Sequence, residues 1–143
     1  MNYVVGGTLL TFAGTNIINN IVISTLHTLY SSVIFVTYGS ESNVIINKIK
    51  TDIEKLDIKL KLDLVNKLTS KLLDNDIHKI IVDGVVDIIS NIKSNIEIID
   101  CEIVKHNEKW FSGYRSINFE DKLDNLKKLS YILDGRIALL LNL

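Results

Sequence analysis

No proline interrupts this 143-residue chain, only one cysteine is present, and no Asp, Glu, Lys or Arg occurs before Glu41. Each absence excludes something. Without proline, helices meet no covalent stop, so breaks must come from Gly, Asn, Asp and Ser. A lone Cys101 cannot form a disulfide within the chain, which suits a reducing compartment, and its bland reading is a buried structural thiol. Met1-Asn2-Tyr3 lacks the basic start of a secretory signal, so the apolar stretch after it is read as retained.

What is present divides into two parts, residues 1–40 and 41–143. The first holds apolar residues, Gly, Thr, Ser, Asn and His27, whereas the second holds all 16 basic and 17 acidic side chains. That near balance draws no nucleic acid to the molecule as a whole, and the lysines alternate with acids instead of forming an unopposed patch, so no nucleic-acid partner is expected. At 16.2 kDa one core can bury roughly two-thirds of the unfolded surface, so a second independent domain is not expected. The mean hydropathy of +0.24 lies at the apolar end for such a chain.

Apolar spacing predicts helices throughout. Ala13-Gly14-Thr15-Asn16 reads as a loop or kink before a helix from Asn16 to Tyr38, whose polar positions Asn16, Asn20, Ser24, His27 and Ser31 recur every three or four residues and form one stripe. Gly39 would end it. Beyond the cap residues 40–43, an inward face runs Ile46, Ile49, Ile53, Leu56, Leu60, Leu64, Leu68, Leu72, with a break expected near Asp57. The strict alternation from Leu56 to Leu64 also fits a strand, but no second strand exists to pair with it. Asn75 or Asp76 caps the next helix, with Ile77, Ile80, Ile81, Val85, Ile88, Ile89 and Ile92 inward and Gly84 weakening its middle. Ser94-Asn95-Ile96-Glu97 reads as a capping box that starts a new helix ending at Gly113. Asn118 and Asp121 begin the last, with Phe119, Leu123, Leu126, Leu129 and Leu133 inward and a break at Gly135. The fold class expected is all-α: an antiparallel bundle of about four amphipathic helices preceded by an uncharged apolar N-terminal helix.

That N-terminal helix has two readings. Residues 17–38 reach the roughly 20 needed to span a bilayer, but Asn19, Asn20 and His27 are costly in hydrocarbon unless they face protein or water. As a membrane segment it would self-associate through Asn20, Ser24, His27 and Ser31, even as a small pore lining. The other reading is a helix buried in its own bundle.

Residues that could carry chemistry are scattered. His27, His78 and His106 share no metal-ligand spacing, Cys101 and His106 point to different helix faces, and Gly6-Gly7-Thr8 is no phosphate loop, so no metal, cofactor or phosphate site is expected. The densest aromatic cluster is His106-Asn107-Glu108-Lys109-Trp110-Phe111-Ser112-Gly113-Tyr114-Arg115-Ser116. There Trp110, Phe111, Tyr114 and Arg115 suit either a partner contact or a membrane-interface belt, against the plainer reading of a cap over the core.

The strings Glu54 to Ile58, Lys61 to Leu68, His106 to Ser116 and Asp124 to Leu129 resemble small helical proteins of large AT-rich DNA viruses. The resemblance covers the region after Ser40, carries no catalytic motif, and implies a virion-associated or host-membrane-associated structural protein. The expectation is therefore a non-enzymatic membrane-associated or assembly protein, with a protein partner or homo-oligomer. The alternative is a soluble all-α interaction module with the N-terminal helix as its core. An enzyme using Cys101 or the His106 to Arg115 region is a third reading.

Overall fold

The computed structural model describes the backbone of residues 2–36, 44–72, 75–108 and 120–143, and the side chains of 16–35, 46–72, 75–105 and 120–143. Six helices follow in order among these: α1 Asn2–Ser31, α2 Val33–Val36, α3 Val44–Glu54, α4 Ile58–Thr69, α5 Asp76–Glu108 and α6 Glu120–Leu141. No strand occurs among the described residues, so the chain is all-α, and Leu56 to Leu64, despite its alternation, enters a helix.

Four long helices carry the architecture. α1 packs on α5 and α4, and α6 packs on the same two, so α4 and α5 face each other across the core. Side-chain bridges set the directions. Asn19 meets Asn66, and the groove that holds Tyr30 also holds Lys59, so α1 and α4 run antiparallel. Lys122 approaches Glu102 while Arg136 reaches the Gly84 carbonyl, so α5 and α6 also run antiparallel. Val33 binds Asp100, which brings the end of α1 to the same end of the bundle as the start of α6. α2 and α3 carry the chain from α1 to α4 at that end.

The core is a set of heptad seams. On α5 the buried residues are Val85, Ile88, Ile89, Ile92, Asn95, Ile96, Ile99 and Ile103. On α6 they are Leu123, Leu126, Ser130, Leu133, Ile137 and Leu140, at alternating steps of three and four. On α1 they are Ile18, Val22, Thr25 and Leu29, continued by Ser32. Burying each large aliphatic side chain stabilises the fold by about 1.5–3 kcal/mol. No single helix hides its stripe alone, so the seams must close on one another.

Several local expectations change in the fold. Ala13 to Asn16 lies inside α1 instead of forming a kink, because Gly and Asn weaken a helix by only about 1 kcal/mol and nothing there blocks its hydrogen bonds. α1 stops at Ser31, well before Gly39, which lies outside the described residues along with the expected caps 40–43. The capping box at Ser94 is not used as a helix start. It is helix interior, since α5 runs unbroken through it, and the Asn95 amide instead joins α6: its Nδ2 donates to the Lys122 carbonyl at 3.0 Å and its Oδ1 accepts from Asn125 at 2.9 Å. Gly135 does not break α6 either, and Ile137 and Leu140 beyond it join the core. The cap at Asn75 is where expected, its side-chain oxygen accepting from the His78 amide at 2.8 Å.

The break near Asp57 is also present and has a larger effect than its length suggests. Asp57 adopts a left-handed conformation, φ 54° and ψ 40°, between α3 and α4. The turn rotates α4, so Leu60 and Leu64, expected inward, are exposed, while Ile58, Leu62, Val65 and Thr69 are buried. Asp tolerates this backbone better than most residues, since its short polar side chain bonds locally.

Candidate interaction surface

α1 is the helix on which the sequence placed its first set of candidate residues. Its inner seam, Ile18, Val22, Thr25 and Leu29, is almost wholly buried. Asn20, His27 and Ser31 are exposed and Ser24 is half-buried, so all four lie together on the side facing away from the bundle. They share that side with Ile17, Ile23 and Tyr30, which are 53%, 57% and 45% exposed. The apolar arc expected over most of α1 is therefore divided. One part builds the core, and the other stands in solvent beside amides and hydroxyls. No charged side chain occurs on this helix.

Among the described residues no helix is long and apolar enough to cross a membrane. The amide of Asn19 accepts a hydrogen bond from Asn66 Nδ2 at 3.1 Å, which gives it a partner within the fold. Among the described residues Thr25 Oγ1 and Ser32 Oγ are buried without a hydrogen-bond partner, so the inner seam of α1 carries uncompensated polarity there.

Where α1 ends, a groove of about 490 Å³ opens between α1, α3 and α4. Leu29, Ile53 and Ile58 are its buried floor, while Tyr30, Phe35, Lys50 and Leu60 form its walls. The Tyr30 and Phe35 rings meet edge to face, 5.5 Å between centroids at 66°. Lys50 Nζ sits 5.6 Å from the Phe35 centroid, within cation–π range. Lys59 is held above its ordinary pKa of 10.5 by its hydrogen bond to Asp63 and by that carboxylate's charge, the two atoms being 2.9 Å apart. That pair is exposed and contributes little to stability. The rim mixes both signs, with Glu54, Asp57 and Asp63 against Lys50 and Lys59. No family model matches the chain, and no curated protein or solved structure matches it either.

The remaining candidates separate. Trp110, Phe111, Tyr114 and Arg115 lie outside the described residues, as does the His106 side chain. Cys101 is exposed on α5, contrary to the bland expectation of a buried thiol, because its position falls between the buried Ile99 and Ile103 on the outer side of the helix. Among the described residues no group of three or more His, Cys, Asp or Glu side chains is placed to hold a metal ion.

Sequence reasoning missed Ile23 and the groove. Ile23 could have been found, since it falls at the same spacing as Asn20 and His27. The groove could not, because Phe35 and Leu60 share it only through the tertiary fold.

Proposed function

We propose that this chain is a non-enzymatic helical interaction module in which α1 serves twice. Its inner seam completes the bundle core, and its uncharged outer face docks a partner protein. The observation that carries this reading is the opposition of buried Ile18, Val22 and Leu29 to exposed Ile17, Ile23 and Tyr30 on one helix that has no charged residue. A surface left apolar and uncharged beside a charge-rich remainder is the usual mark of a contact site. The amides on that face favour a protein partner over hydrocarbon, where each would need its own hydrogen bond. An assembly role, such as the viral resemblance of the region after Ser40 implies, suits a molecule of this kind.

The test compares Val22→Asp with Asn20→Asp in the full chain. If α1 is core, Val22→Asp buries an unpaired charge and lowers stability by about 3 kcal/mol or more, whereas Asn20→Asp changes it little. Urea unfolding followed by circular dichroism reads both. If instead the chain floats with lipid vesicles and Val22→Asp leaves the unfolding midpoint unchanged, α1 is an anchor and the module reading is wrong.

A further inference from the structure

The outer face of α1 is itself a heptad seam. Asn16, Asn20, Ile23, His27 and Tyr30 follow steps of four, three, four and three, and all five are exposed. Each lies two residues before an inner position, Ile18, Val22, Thr25, Leu29 or Ser32, and so about 200° round the helix from it. α1 therefore carries two seams of coiled-coil spacing on opposite sides, and among the described residues the bundle occupies only one.

We infer that the outer seam pairs with the same seam of a second copy of this chain, giving a two-fold helix-to-helix dimer. The inference rests on the module reading and names its partner. Charge selects the occupant. Exposed faces of the other long helices carry ionised side chains, such as Lys59 and Asp63 on α4, Asp83 and Glu97 on α5, and Lys127 and Asp134 on α6. Pressing such a face onto α1 would strip water from charges and offer them only amides and hydroxyls, a costly exchange. The surface opposite must be uncharged and rich in neutral hydrogen-bonding groups, and a second α1 meets both conditions.

The chemistry is also self-complementary, as a two-fold axis requires. An asparagine amide both donates and accepts, so it can bond its own kind across an axis. This chain already joins helices that way twice, Asn19 to Asn66 at 3.1 Å and Asn95 to Asn125 at 2.9 Å. Asn16 and Asn20 present the same group on the outer seam, where amides bonded across the axis would set the register. In a parallel, in-register pairing Ile23, the one aliphatic side chain of the five, meets its own counterpart.

Sedimentation velocity on the full chain at about 50 μM, a range where mass action reveals modest affinities, should give twice the 16.2 kDa of one chain. Ile23→Lys should halve that mass with unchanged helical content, and Leu139→Lys, at an exposed position on α6, should leave it intact. As a check independent of that substitution, Ile23→Cys in a Cys101→Ser background should oxidise to a covalent dimer, and Leu139→Cys in the same background should not. A monomeric native chain, a larger assembly, a mass indifferent to Ile23→Lys, or no cross-link through position 23 would each overturn the dimer. A monomer in which Val22→Asp still unfolds the bundle would overturn the dimer while leaving the module reading standing.

Discussion

The Val33 amide donates a 2.7 Å hydrogen bond to the carboxylate of Asp100, 67 residues further along the chain. Asp100 thereby caps a helix to which it does not belong. α1 ends at Ser31, Ser32 is buried, and the chain starts α2 at Val33 with its first amide turned toward α5. A carboxylate is the strongest neutral-pH acceptor for such an amide, and it also suits the positive end of a helix. The break in the N-terminal helix is therefore held by a tertiary contact.

Asp100→Ala should destabilise the fold by about 1–2 kcal/mol, the usual cost of losing a capping acceptor. Asp100→Asn keeps an acceptor oxygen and should lose less. Urea midpoints at constant slope read both, and an unchanged midpoint for Asp100→Ala would show that the contact at Val33 adds nothing.

Asn95 is a buried amide in the α5 seam, and it joins α5 to α6 through Asn125 and the Lys122 carbonyl. Asn95→Ala removes both bonds inside the core and should cost about 1–3 kcal/mol. Asn125→Ala, at an exposed position, should cost clearly less. A double-mutant cycle gives the coupling of the pair, and an energy near zero would mean the amides meet without stabilising the interface.

Gly135 sits inside α6 with nothing within 4 Å of where a Cβ would stand. Gly135→Ala should therefore stabilise the protein by about 0.5–1 kcal/mol, through lower backbone freedom in the unfolded chain. Chemical unfolding checks the sign. A loss would mean that α6 bends at this glycine in a way alanine resists.

The fold class was readable because helical periodicity is a local property. Leu123, Leu126 and Leu133 mark the α6 stripe by themselves, and the cap at Asn75 is read from its neighbours. The errors fall where a local signal was weaker than a distant contact. Ser94 to Glu97 has the composition of a helix start, but Asn95 bonds α6 and the helix runs on. Leu60 and Leu64 continue an i+4 stripe on paper, but the turn at Asp57 rotates them outward. Of the candidate site, the grouping of Asn20, Ser24, His27 and Ser31 on one side of α1 followed from spacing alone, whereas the solvent-facing sense of that side did not.

By itself the sequence determined the all-α class, the uncharged character of α1 and the positions of most core residues, since each depends on side chains three or four apart on one helix. Only the tertiary structure decided which side of α1 is buried, where α1 ends, and that Tyr30, Phe35, Lys50 and Leu60 share a groove. A helix with apolar residues on both sides has no local reason to prefer either. The choice comes from which neighbouring seams complete the core, a sum over contacts between residues far apart in the chain.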